Sequence, residues 1–131
     1  MATRHQARRA VVGLLYAYDL GNEEIGRFSD DILENDKIRN RQKEFSIALF
    51  KGTIENIEKL DSEIEAHLQS WSYDKIGKVE KAILRLGTYE IMFAGTDRAV
   101  VINEAVELAK ELADERAPGF INGVLDAVCK G

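Results

Sequence analysis

The 131-residue sequence has only one cysteine, one proline and one tryptophan, and these scarcities exclude a good deal. A lone Cys129 can form neither an internal disulfide nor a multi-cysteine metal site. Near the C-terminus, on an apolar helix face, it is expected to be a small packing residue. The two histidines, His5 and His67, have no ligand-type neighbours at metal spacing, so no metal site is expected. No apolar run could span a membrane, and the first residues lack the apolar stretch of a secretory signal. A cytoplasmic protein is expected. Phosphate-cradling glycine loops, a dinucleotide fingerprint and paired zinc-protease histidines are missing as well. Neither an enzyme nor a cofactor is expected.

What remains is 45% apolar and 31% charged residues, enough for one domain over residues 1–131 with a genuine core. With β-branched residues rarely alternating with polar ones, strands find little support. Helical periodicity recurs instead. Ala7, Val11, Leu14, Leu15 and Tyr18 form a core stripe stopped at Gly21, with Arg8, Arg9, Val12 and Tyr16 on the opposite side. Tyr16 and Tyr18 cannot both enter one core. After a polar connection, a short helix begins near Asp30 and a long one runs from Arg39 to about Leu60. Gly52 within it marks a close packing contact. Asp61, Ser62 and Glu65 then suggest a new helix start, continued by Ile64 and Leu68, before a turn around residues 70–74. Trp71 in that turn is expected to plug the bundle. Val79, Ile83, Leu86 and Glu90 lie on a strongly apolar, central helix. Ile102, Ala105, Val106, Ala109 and Leu112 belong to the next, and Pro118 opens a last helix burying Phe120 or Ile121, Val124, Leu125 and Val128. The fold class is all-α: a compact bundle of six or seven helices.

The first helix carries charge where helix physics disfavours it. Thr3 and Gln6 form a capping box, so the partially positive helix end lies beside Arg4, Arg8 and Arg9. Each misplaced cation costs roughly a few tenths of a kcal/mol. No acid precedes Asp19. An external anion would offset the cost, and a phosphate backbone is the leading candidate. Set those three arginines aside, and the net charge of −5 becomes −8 for the remainder. Such polarity holds an anion on one face and suppresses indiscriminate binding. From charge alone, an ordinary solvated helix end is an equal alternative.

Most acids have surface spacing. Glu90 points inward, as a buried carboxylate satisfied by an arginine or a backbone amide. Lys75, Lys78, Lys81 and Arg85 share a helix face, either extending a basic track or forming a solvated edge. Asn103 is expected to cap a helix start, and Gly123 to permit close helix approach.

Two segments are too particular for bundle filler. One is Val79-Glu80-Lys81-Ala82-Ile83-Leu84-Arg85-Leu86-Gly87-Thr88-Tyr89-Glu90. The other runs Val101-Ile102-Asn103-Glu104-Ala105-Val106-Glu107-Leu108-Ala109-Lys110 and resumes at Phe120-Ile121-Asn122-Gly123-Val124-Leu125-Asp126. Together with Ala7-Arg8-Arg9 through Leu15-Tyr16, they closely resemble the NusB family of bacterial transcription antitermination factors. The resemblance covers most of the chain and is weakest from Gly21 to about Lys43. It implies a NusB-like helical protein that binds single-stranded boxA-type RNA with the ribosomal protein NusE. Such pairs act within the RNA polymerase antitermination complex on ribosomal RNA operons. By motif matching, the resemblance assigns RNA contacts to Arg4, Arg8, Arg9, Phe120 and Asn122, and partner contacts to Tyr16 and Glu80. The chain departs from the family pattern in having Gly119 where a basic residue usually precedes the phenylalanine. It also has Asp97-Arg98-Ala99 where proline often precedes Val-Ile-Asn-Glu. Monomer and homodimer are both left open, as is a purely protein-binding helical module.

Overall fold

The computed structural model describes residues 2–69 and 72–131, and every regular element among them is helical. Seven α-helices follow in order: α1 (Arg4–Asp19), α2 (Ser29–Asn35), α3 (Asn40–Glu55), α4 (Ile57–Ala66), α5 (Lys78–Tyr89), α6 (Arg98–Leu112) and α7 (Ala117–Lys130). Short 3-10 turns at Glu23–Phe28 and Tyr73–Lys75 link them, and α5 runs on into one π-helical turn, Glu90–Ala94. Expectations for Trp71 fall outside the described residues.

The capping box forms as read. Gln6 N–H donates to Thr3 Oγ1 at 3.1 Å, and Thr3 N–H donates to Gln6 Oε1 at 2.9 Å. Helix α5 is the axle of the bundle. Every residue from Lys81 to Thr88 is buried, because α1, α3, α4, α6 and α7 all pack against it. Its own Ile83 and Leu84, and Leu15, Ile64, Leu108, Ile121 and Leu125 around it, are sealed from solvent. Each such side chain contributes about 1.5–3 kcal/mol by leaving water. A smaller cluster of Ala7, Leu33 and Ile38 fastens α2 to the start of α1. Ile121 takes the core position in α7, and Phe120 stays half-buried at its edge.

The long helix expected to reach Leu60 is broken at Asn56. Asn56 donates its side-chain amide to Gly52 O at 2.8 Å and its backbone N–H to the same carbonyl at 3.2 Å. That side chain competes with the helical ladder and closes α3. The burial arc of α1 is also wider than a single stripe. Wedged between α3 and α5, α1 buries Arg8 and Val12 as well as Ala7, Val11, Leu14 and Leu15. Tyr18 leans on the core, whereas Tyr16 is 37% exposed. Asp97, not Asn103, caps α6, accepting from Ala99 N–H at 2.9 Å. Gly123 faces open space: a methyl there would meet nothing within 4 Å, so close helix approach is not its role.

Candidate nucleic-acid interface

The three opening arginines meet three different fates. Arg4 is exposed, and its guanidinium lies 3.8 Å from the centroid of the Phe45 ring. This stacking holds the cation flat on α3 while leaving its charge accessible. Arg9 is half-exposed and donates to Glu111 at 2.6 Å. Arg8 points inward and is only 5% exposed. Its Nε and Nη2 form a forked pair with Glu90 Oε2 and Oε1 at 2.9 and 2.8 Å. Thr96 Oγ1 donates to the same carboxylate at 3.1 Å. Arg8 thus stands apart from the phosphate contact expected of it, with its fork occupied inside the protein. Glu90, expected to be satisfied by an arginine, has found it in Arg8.

His5 is part of a clasp between α1 and α6. One ring nitrogen lies 2.6 Å from Glu104 and the other contacts Glu111, which also accepts from Arg9. The Glu104 hydrogen bond raises the His5 pKa above its usual value; burial opposes this, and Glu111 reinforces it. The folded-state value thus exceeds the unfolded one. The clasp then contributes fully below the unfolded histidine value and fades as pH rises through the folded one. Thermal melts from about pH 6 upward should show wild-type stability falling relative to His5→Gln. Parallel curves for the two proteins would refute the clasp.

Two clefts run along the next stretch of surface. The first, about 270 Å³, is lined by Arg9, Val12, Gly13, Tyr16, Val79 and Leu112. The second, about 230 Å³, includes Lys75, Gly77, Glu80, Asp114, Arg116 and Phe120 in its walls. Val79 of the first precedes Glu80 of the second in the chain, and Leu112 lies two residues before Asp114. Each cleft therefore combines a residue assigned to RNA with one assigned to a protein partner: Arg9 with Tyr16, and Phe120 with Glu80. Arg4 lies twelve positions before Tyr16 on α1, about 18 Å along the helix. Asn122 is exposed on α7, flanked by the open positions Gly119 and Gly123.

Local chemistry fixes the second cleft. Glu80 sits in the first turn of α5, with its carboxylate folded back over Gly77; a Cβ on that glycine would fall 2.7 Å from Glu80 Oε2. A carboxylate there complements the helix dipole. Asp114 Oδ1 collects the backbone N–H groups of Arg116 and Ala117 at 2.9 and 3.2 Å, which sets the start of α7. Arg116 thereby reaches the cleft one helical turn before Phe120. The sequence reading overlooked Arg116, although its spacing of four from Phe120 was a visible signal.

The basic track drawn through α5 is also corrected. Only Lys75 and Lys78 are exposed. Lys81 is buried, with its ammonium 4.5 Å from the Tyr73 ring centroid. Arg85 is buried in a fork to Asp61 at 2.8 Å and reaches Asp19 at 3.2 Å. Burial disfavours the Arg85 charge, but Asp61 outweighs it and raises the pKa. Burial and the hydrogen bond to Asp61 likewise raise that of Tyr73. Neither the basic-track nor the solvated-edge reading fits Lys81 and Arg85, which tie α5 to its neighbours.

Residues 5–130 match the profile of the NusB family. The transcription antitermination protein NusB of Sulfurovum sp. is 75% identical over 130 residues, covering 99% of this chain and all of the relative. The chain belongs to the NusB family. The NusB protein of Nitratiruptor sp. is 62% identical, covering 99% of this chain and 94% of that protein. Among solved structures, T. maritima NusB superposes with a TM-score of 0.90 at 30% identity, covering 98% of this chain and 92% of that one. A chain from a crystal structure of NusB and NusE in complex with double-stranded RNA gives 0.87 at 36% identity, covering 97% and 96%. The helical architecture is thus that of NusB.

Proposed function

We propose that this protein is a non-enzymatic, cytoplasmic transcription antitermination factor. It holds single-stranded boxA-type RNA together with NusE and supports RNA polymerase on ribosomal RNA operons. The observation that carries this reading is the second cleft, where Phe120 lies among Arg116 and Lys75. Unpaired RNA is bound by aromatic faces that stack on splayed bases and cations that follow the phosphates. Phe120 supplies the first, and Arg4, Arg9, Lys75 and Arg116 the second. Asn122 offers an exposed amide for a base edge or sugar. Arg8 acts through position: its fork to Glu90 anchors the helix end that carries Arg4 and Arg9. Tyr16 and Glu80 line the same clefts and are assigned to NusE, so that RNA and protein share one continuous surface. The relative solved with both NusE and RNA supports the pairing.

Electrophoretic shift of boxA-type RNA, with and without NusE, is the direct test. Binding that strengthens with NusE is expected; capture of NusE with no shift of RNA under any condition would favour a purely protein-binding module. Phe120→Ala should lose about 1–3 kcal/mol of RNA affinity, the usual value of one stacked base. Arg9→Ala should flatten the log-log salt slope by somewhat under the ~0.7 expected per phosphate on a single strand. Glu80→Lys should reduce NusE capture while costing the fold no more than about 2 kcal/mol, since the reversal removes a favourable first-turn charge and adds an unfavourable one.

A further inference from the structure

The α2–α3 turn holds a basic cleft of about 550 Å³, lined by Ala2, Lys37, Arg39, Asn40, Arg41 and Gln42. It falls in the segment where the chain is least like the family pattern, and no role has been assigned to it. We propose that this cleft is a second phosphate-binding site, which takes the backbone of the same RNA strand where it continues past Arg4. The inference rests on the RNA-binding reading above and extends it.

Three observations support it. First, the charge is accessible. Lys37 and Arg41 are exposed and make no ion pair among the described residues. Arg39 is held at 2.9 Å by Glu34, which also takes Lys43 at 2.6 Å. Glu34 and Asp30 of α2 are thus engaged by Arg39 and Lys43, and neither Lys37 nor Arg41 is paired with a carboxylate among the described residues. Second, the cleft floor is the start of α3, which has no acid in its first turn and no side-chain cap. The uncompensated helix dipole adds to the two free cations. Third, the cleft is continuous with the candidate interface. Ala2 lines it, and Arg4, two residues on, stacks on Phe45 of α3. A strand leaving Arg4 therefore meets Lys37 and Arg41 next. Backbone geometry fixes the turn, with Lys37 and Asn40 both left-handed at φ 62° and 57°.

The test uses the full chain with NusE and two RNAs: a boxA-type strand, and the same strand lengthened by unpaired uridines at each end in turn. Lengthening at one end should tighten binding to the wild-type protein by about tenfold, a gain carried by phosphate contacts. Lys37→Gln/Arg41→Gln should abolish that gain, leave the shorter strand unaffected, and flatten the salt slope for the longer one by about 1.4, twice the single-strand value per phosphate. Arg41→Gln alone, on the helix surface, should give half of that change and avoids the left-handed position. An equal gain in wild type and variant, or no gain in either, overturns the second site while the shorter strand still binds. Failure of the shorter strand to bind at all overturns the RNA reading, and this inference with it.

Discussion

Glu90→Ala is expected to cost the fold about 3–5 kcal/mol, the penalty of leaving one partner of a buried ion pair unpaired. Glu90 is 2% exposed, and its carboxylate accepts both arms of the Arg8 fork and the Thr96 hydroxyl. Around the pair stand Ile83, Leu86, Val101, Ala105 and Leu108, with a gap of only about 10 Å³. That is at the lower limit for one water, so the pair is satisfied within the protein with no room for solvent between its partners. Removing both partners tells a different story. Arg8→Met/Glu90→Leu should be far less destabilised than Glu90→Ala, because no charge is left stranded. Denaturant melts of the three proteins check this, and RNA titration of the double variant adds a second reading. If Arg8 only anchors the helix end, the double variant keeps most of its RNA affinity. A loss as large as that of Arg9→Ala would return Arg8 to direct contact.

Gly52→Val should destabilise by about 3 kcal/mol, the upper end of the cost of overfilling a packed interior. A Cβ at residue 52 would fall 2.1 Å from the Tyr89 hydroxyl oxygen and 2.6 Å from Cε1 of its ring. The ring cannot simply swing aside, since Tyr89 leaves the axial helix at its C-terminal end and stacks on Phe93 with centroids 5.8 Å apart. Tyr89→Leu should therefore recover part of the loss in the Gly52→Val background. Equal melting of Gly52→Val and wild type would show that α3 and α5 do not approach as described.

Gly52 also marks how far the sequence could be read. A glycine in a strongly periodic helix signals close approach, and the signal needs no knowledge of what approaches. The Thr3–Gln6 box and Pro118 are local in the same sense, and their helices begin where those residues say. What stayed illegible was set by distant partners. Arg8 and Glu90 are separated by 82 positions, and Arg85 and Asp19 by 66. Periodicity gives the side of a helix a cation occupies, but not whether a carboxylate waits there to carry it inside. Long alkyl stems make such burial cheap once a partner exists. Asn56 escaped for a subtler reason: its side chain and backbone both turn on a carbonyl of its own helix, and nothing in hydropathy distinguishes that from continuation. Among the site residues, spacing set Arg9 and Tyr16 on the side of α1 opposite the core stripe, and both are exposed, whereas Arg4 and Asn122 came from the family resemblance. That Glu80 and Phe120 share a cleft could emerge only once α5 and α7 had been brought side by side.

The contact between Arg9 and Glu111 has a thermodynamic corollary. Any incoming nucleotide that engages Arg9 must displace a carboxylate already seated there, so recognition becomes an exchange of one anion for another. Fewer mobile ions are then liberated than a tally of arginines would suggest. Affinity should consequently be less sensitive to ionic strength than the density of positive groups implies, with discrimination shifted toward ligands that offer a stacking base as well as charge.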